Sequence, residues 1–169
     1  MDYYSVRLPK FELLSPKTLE EATALLSQYG ENIAVLGGGT DLIPKMRKRK
    51  ETPKHVLSLK GIPGLDRIEQ QGGKVILGPL VTLNQVKASP VIRERYAVLA
   101  EAADKFGNNQ IRNMATVAGN LCNSSCCADT ASPLIVLGAQ LKLKNAHGER
   151  SLPVDKFCQT PFKPTLKKM

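Results

Sequence analysis

Tryptophan is absent from this chain, and aromatic side chains make up only 5% of its 169 residues. A platform on which the bases of single-stranded nucleic acid could stack therefore has little material. Runs of 18 or more apolar residues are also absent, and the N-terminus has neither the basic start nor the apolar stretch of a signal peptide. We therefore expect a cytoplasmic protein that does not insert into a membrane and does not bind nucleic acid.

Cysteines are few, and three of the four are crowded at Cys122, Cys126 and Cys127, with Cys158 further along. This spacing is unlike the framework of a secreted disulfide domain, so we expect reduced thiols. A zinc or iron–sulfur site is the alternative. Structural metal sites favour two well-separated pairs of cysteines, which this chain lacks, and we assign no metal ligand.

The charge is unbalanced, with 24 basic against 15 acidic side chains and a net charge of +9. Such a balance can attract nucleic acid, an anionic cofactor or an acidic protein, and charge alone does not choose among them. The densest basic run, Lys45–Lys50, is interpreted as a solvated helix end. The chain has two histidines, His55 and His147, and neither lies beside a candidate nucleophile, so no catalytic residue is assigned.

The first 60 residues predict a small α/β lobe. Thr18 and Glu21 form a capping box for a helix that Gly30 ends, and the apolar run Ile33–Leu36 is typical of a parallel strand covered on both faces. A short helix is expected at about residues 41–47, and a further strand at 55–59. Alternating strands and helices of this kind favour a parallel sheet.

Residues 61–169 predict a larger α+β lobe. Short strands at 65–69 and 75–77 flank a hairpin turn, a helix spans about 96–106 and ends at Gly107, and residues 116–129 have no helical or strand period and are expected to be a loop. A brief helix at 133–137 and a strand at 140–144 follow. Thr82 and Gln85 form a second capping box.

Three consecutive glycines, Gly37–Gly39, follow the predicted strand and are followed by Thr40 and Asp41. Glycine contributes no side chain, so such a run indicates a tight turn or a close approach to the backbone. Exposed N–H groups at this point would suit a phosphate or pyrophosphate, and a plain strand-to-helix turn is the alternative. The dinucleotide fingerprint G-x-G-x-x-G fails because Leu42 occupies its third glycine position, and no P-loop sequence is present.

A second segment, 110–123, adds backbone and amide donors, among them Thr116, Gly119 and Asn120. Two distant segments that converge on one ligand suggest a large ligand. Asp129 follows this segment, and it could accept a hydrogen bond from a ligand hydroxyl or cap the next helix.

These segments carry a resemblance to a known family. Residues 36–42 (LGGGTDL), 110–123 (QIRNMATVAGNLCN), 128–129 (AD), 133–134 (PL) and 137–139 (LGA) resemble the FAD-binding medium subunit of molybdenum hydroxylases, such as carbon monoxide dehydrogenase and xanthine dehydrogenase. The likeness runs in order from about Val6 to the C-terminus.

The resemblance implies an α+β fold of the vanillyl-alcohol oxidase type, in which FAD lies between a small α/β lobe (1–60) and a larger lobe with a mainly antiparallel sheet (61–169). It implies a cofactor site formed by Leu36, Gly37, Gly38, Gly39, Thr40, Asp41, Leu42, Phe106, Thr116, Val117, Ala118, Gly119, Asn120 and Asp129. The two glycine segments would hold the pyrophosphate, and Asp129 the ribose or ribityl hydroxyls.

By the same resemblance, electrons would pass from a molybdenum-binding large subunit through a [2Fe-2S] small subunit to FAD, and then to NAD or another acceptor. Ala118 replaces a glycine that is frequent in the family, which would strain the backbone if that position needs a positive φ. The chain ends about where the FAD domain of family members gives way to a C-terminal domain, so we expect a truncated or split form. The alternative function is a non-catalytic docking module without flavin, or a basic nucleic-acid binder.

Overall fold

The structure, a computed structural model, describes residues 7–123 and 128–158. Its strands are β1 (Glu12–Leu14), β2 (Ile33–Leu36), β3 (His55–Ser58), β4 (Ile68–Gln71), β5 (Lys74–Leu77), β6 (Gln140–Lys144) and β7 (Glu149–Pro153). Its helices are α1 (Leu19–Tyr29), α2 (Leu42–Arg47), α3 (Leu83–Ala88), α4 (Pro90–Arg95), α5 (Ala97–Lys105), α6 (Asn109–Met114), α7 (Val117–Asn123), α8 (Ala131–Val136) and α9 (Val154–Phe157).

The N-terminal part forms a parallel sheet of three strands in the order β1-β3-β2. Leu57 of the central strand is fully buried and packs in a small apolar cluster with Ala22 of α1. The next residue along β3, Val56, faces the other side of the sheet and is also buried, so both faces of the central strand are covered. The predicted parallel pairing of β2 is confirmed.

Full coverage of β2 is not observed, because this strand lies at an edge of the sheet. Val35 remains 45% exposed, although its neighbour in register, Leu57, is fully buried. The apolar run at 33–36 therefore reflects parallel pairing but overstates burial. An edge strand has a neighbour on one side only, which leaves part of its side-chain surface to solvent.

The antiparallel part consists of two hairpins within the described residues, β4-β5 and β6-β7. In the first hairpin Gly72 and Gly73 both adopt positive φ values, +56° and +74°, as a tight two-residue turn requires. The strand predicted at 65–69 begins later, at Ile68. The predicted hairpin is confirmed, with its strands shifted toward this turn.

The main core lies among the helices that follow the first hairpin and the second hairpin. Its buried side chains include Leu83, Ile92, Leu99, Val154 and Phe157. Helix α5 matches the prediction closely, whereas α4 and α6 were not predicted. Both are short, and their apolar positions are too few to display a period of 3.6 residues.

The loop predicted at 116–129 is wrong over its first half, because Val117–Asn123 form helix α7. Val117 and Leu121 are buried at 5% and 2% exposure and belong to the main core. They are four residues apart and so share one face of the helix. Tertiary packing therefore outweighs the low helix propensity of Gly119 and Asn120. Residues 124–127 lie outside the described residues.

The two apolar clusters are distinct, and the smaller one takes in Ile62 and Leu65 as well as residues before Lys60. The division into lobes of residues 1–60 and 61–169 stays a prediction. In the part of the chain that the structure describes, no helix is long and apolar enough to cross a membrane.

We predict that Thr82→Ala destabilises the protein. The Thr82 hydroxyl accepts a hydrogen bond from the Gln85 amide, 3.3 Å away, and the Gln85 side chain accepts one from the Thr82 amide, which completes the predicted capping box. Loss of the cap should lower the free energy of unfolding by about 1 kcal/mol. Urea denaturation measures this loss. Thr52→Ala, at an exposed position, is the matched control and should change little.

Candidate cofactor site

The first glycine segment connects the end of β2 to the start of α2, and it packs tightly against the second segment. A Cβ atom placed on Gly38 would overlap the carbonyl oxygen of Met114 and would lie 3.1 Å from the Ala115 Cα. Gly39 adopts a φ of +82°, a conformation that L side chains rarely take. Both glycines are therefore required by the geometry, one for close approach and one for the turn.

The backbone amides of this segment are available for a ligand. Among the described residues, the N–H groups of Gly38, Gly39, Thr40 and Asp41 donate no hydrogen bond to another protein group. Consecutive unbonded amides in a turn form a concave positive surface that suits an anion. The plain strand-to-helix turn does not account for the contact with Met114.

The second segment is held rigidly at Thr116. Its hydroxyl oxygen accepts the Gly119 amide at 3.0 Å, and its carbonyl accepts the Asn120 amide at 2.9 Å. Thr116 is only 4% exposed. Ala118 lies within α7 and has no positive φ, so the strain considered for alanine at this position does not arise.

Backbone hydrogen bonds tie the second segment to the chain before α3. The Leu83 amide donates to the Ala115 carbonyl at 3.0 Å, and the Val117 amide donates to the Val81 carbonyl at 3.1 Å. The side chain of Val117 packs in the main core. Val117 therefore anchors the segment, whereas the exposed Gly119 is open to a ligand.

A cleft of about 390 Å³ lies where the two segments meet. Gly37 of the first segment and Thr116 of the second both line it, and a Cβ atom on Gly37 would lie 3.3 Å from the Thr116 hydroxyl. Other lining residues include Lys60, Asp66, Leu80, Thr82, Asn113 and Met114. Asn113 and Met114 belong to the predicted second segment but were not assigned to the cofactor site. Thr82 was not selected for the site either, because its capping box predicted a helix but not a cleft.

Asn120 connects the second segment to the turn that contains Asp129. Its side-chain oxygen accepts the Thr130 hydroxyl at 2.6 Å and the Thr130 amide at 3.3 Å. Asp129 itself is exposed, and the N-cap of α8 is Thr130. The alternative in which Asp129 caps this helix is therefore wrong, and its carboxylate is accessible to a ligand hydroxyl.

A polar network fixes α6, which carries Asn113 and Met114 to the cleft. The Arg112 guanidinium donates to Asn84 Oδ1 at 3.2 Å and to the carbonyl oxygens of Phe106 and Gly107 at 3.0 and 3.2 Å. Asn84 in turn donates to the side-chain oxygens of Asn109 and Asn113. No local pattern predicted this network, because Asn84 is separated from its partners by 25 to 29 residues along the chain.

Three further residues predicted for the cofactor site, Leu36, Leu42 and Phe106, lie at its edge. Leu36 and Leu42 are partly buried on either side of the glycines, and Phe106 packs against the main core.

His55 contacts the ring of Tyr29, with the ring centroids 3.9 Å apart, and its Nε2 lies 3.5 Å from a carboxylate oxygen of Glu12. These contacts support a structural role for His55.

The cysteines provide no metal site among the described residues, in which no three His, Cys, Asp or Glu side chains are grouped to hold an ion. Burial raises the pKa of the Cys158 thiol and so favours its neutral form over the thiolate that metals bind. Cys126 and Cys127 lie outside the described residues.

Comparison with known proteins agrees with this geometry. Residues 9–169 match the family model described as the FAD binding domain in molybdopterin dehydrogenase. The chain belongs to this FAD-binding family. Its cofactor is FAD, and the close-packed glycines and unbonded amides fit that cofactor.

Relatives of this FAD-binding chain are subunits of larger oxidoreductases. It is 34% identical over 149 residues to the carbon monoxide dehydrogenase medium chain of Hydrogenophaga pseudoflava, covering 88% of this chain and 52% of the relative. It is 37% identical over 148 residues to the nicotinate dehydrogenase FAD-subunit of Eubacterium barkeri, covering 87% of this chain and 50% of the relative. The chain thus spans about half the length of these relatives.

Solved structures show the same fold. A carbon monoxide dehydrogenase from Hydrogenophaga pseudoflava, in a form that lacks the Mo-pyranopterin moiety, superposes with a TM-score of 0.92 at 32% identity, over 95% of this chain and 56% of that chain. The predicted FAD-binding α+β fold is confirmed.

We predict that Gly38→Ala abolishes FAD binding. The added methyl group would overlap the Met114 carbonyl, so the two segments must separate. FAD affinity is measured by fluorescence titration and folding by circular dichroism. Gly72→Ala is the control: its Cβ meets open space, and the strain from its φ of +56° is confined to the hairpin turn, far from the segments. Full FAD affinity in Gly38→Ala would contradict the assigned site.

Proposed function

We propose that this chain holds FAD between Gly37–Asp41 and Thr116–Asn120, as the electron-transfer component of a molybdenum hydroxylase-type oxidoreductase. The observation that carries the proposal is the packing of Gly38 on Met114 and Ala115. It brings two segments more than 70 residues apart in sequence to the wall of one cleft. A small anion needs only one such segment, whereas an extended dinucleotide can use both.

Different residues of the proposed site would contact different parts of FAD. The amides of Gly38, Gly39, Thr40 and Asp41 would hold the pyrophosphate, since they are free of protein partners among the described residues. Gly119 would let the cofactor approach α7 closely. Asp129 would accept hydrogen bonds from sugar or ribityl hydroxyls. Leu36, Leu42 and Phe106 would border the cofactor as apolar neighbours.

Bound FAD supplies the redox chemistry, and the protein supplies its position and electrostatic surroundings. The net charge of +9 favours an anionic cofactor by long-range attraction. Among the side chains at the cleft we assign no general acid, base or nucleophile, because electron transfer through a flavin requires none. Thr116 and the Arg112 network instead keep the cleft in one shape.

The proposed partner subunits are inferred from the names of the relatives. Proteins named as a medium chain and as a FAD-subunit are parts of larger assemblies. We therefore propose that this chain assembles with a molybdenum-binding large subunit and a [2Fe-2S] small subunit, and that it passes electrons from the clusters to NAD or another acceptor. The component would be inactive without these partners. The cytoplasmic location stays a prediction.

We predict that the purified chain binds FAD more tightly than FMN. FMN lacks the second phosphate and the adenosine, so it cannot occupy both segments at once. Titration of the apoprotein, followed by flavin fluorescence and by the fine structure of the visible absorption band, measures both affinities. A preparation that stays colourless with added FAD would favour the flavin-free docking module instead. Equal affinities for FAD and FMN would contradict a site in which one extended dinucleotide contacts both segments.

A further inference from the structure

A second contact between these two parts of the chain lies away from Gly38. It is formed by Lys45 and Asn123. The Lys45 ammonium nitrogen donates to the Asn123 side-chain oxygen at 2.8 Å in a partly buried position, and it lies 3.3 Å from a carboxylate oxygen of Glu51. Lys45 is on α2, directly after the first segment, and Asn123 is the last residue of α7, which carries the second segment. They are 78 residues apart in sequence.

Two contacts therefore join the same two parts of the chain, residues 38–45 and residues 114–123. At one end Gly38 packs on Met114 and Ala115, and at the other Lys45 bonds to Asn123. Helix α7, whose last residue is Asn123, has seven residues and spans about 10 Å, so the two contacts are well separated along this helix. A second contact restricts rotation of α2 relative to α7 about the first contact and so constrains the angle between the two helices.

We propose that Lys45 and Asn123 form a clasp that positions the two glycine segments for the cofactor, an inference that rests on the proposed FAD site. The clasp holds the unbonded amides of 38–41 at a fixed angle to Gly119. The affinity for a ligand that touches both segments depends on this angle, because the protein otherwise has to order it during binding. Lys45 is thus a positioning residue and contacts no reacting atom.

The competing explanation is that the Lys45 charge attracts the anionic cofactor directly. Asn123→Ala separates the two, because it removes the clasp and leaves the charge. A clasp predicts that Lys45→Ala and Asn123→Ala weaken FAD binding to the same degree, about tenfold, and that the double variant is no weaker than either. Direct attraction predicts that Asn123→Ala binds FAD normally.

Lys45→Arg and Lys48→Ala are the matched variants. Arginine keeps a donor that can reach Asn123, so Lys45→Arg should retain FAD affinity within about threefold and should keep the visible circular dichroism of the bound flavin. Lys48→Ala removes an exposed charge from the same basic run, leaves Lys45 and Asn123 unchanged, and should bind FAD as the wild type does. A loss in Lys48→Ala as large as in Lys45→Ala would overturn the proposal.

A measurement without FAD tests the clasp separately. In two-dimensional NMR spectra of the apoprotein, Lys45→Ala should shift the amide signals of 117–120 in the other part of the chain, and Asn123→Ala should shift those of 38–41. Lys48→Ala should shift neither set. Unmoved signals in the other part of the chain would refute the clasp even if the wild type binds FAD. Failure of the wild type to bind FAD, with the shifts present, would refute the proposed function and the clasp's role in binding.

Discussion

The packing of Gly38 against the carbonyl of Met114 is the contact on which the rest of this structure depends. No residue other than glycine leaves room for it, since a single methyl group would overlap the Met114 oxygen. The contact brings the edge of the small parallel sheet against the chain between α6 and α7. It therefore joins the part of the molecule built on the small apolar cluster to the part built on the main core.

Several weaker interactions hold Met114 and the residues that follow it in the position that this contact requires. Ala115 and Val117, which flank Thr116, bond through the backbone to Leu83 and Val81. The Arg112 guanidinium holds the turn before α6. Each such hydrogen bond contributes only about 1 kcal/mol to the free energy of unfolding. Together they leave residues 114–117 few alternative conformations. A rigid second segment is what allows the first to approach so closely.

The candidate site could be predicted in part from the sequence, because glycine runs report directly on backbone conformation. Gly39 does adopt a positive φ, and Gly38 does allow a close approach. The resemblance to a flavoprotein family was confirmed by the matching family model and by the superposition with a solved relative. The sequence did not reveal α7, because its core contacts come from only two apolar residues, Val117 and Leu121.

The sequence by itself determined the local features: the N-cap at Thr18, the capping box at Thr82, the glycine turn and the hairpin at Gly72. Each depends on residues within one or two turns of chain, where backbone sterics and short hydrogen bonds decide the outcome. Only the tertiary structure decided that Met114 meets Gly38 and that Lys45 meets Asn123. Those pairings join residues more than 70 positions apart, and they depend on how two cores pack, which no local pattern encodes.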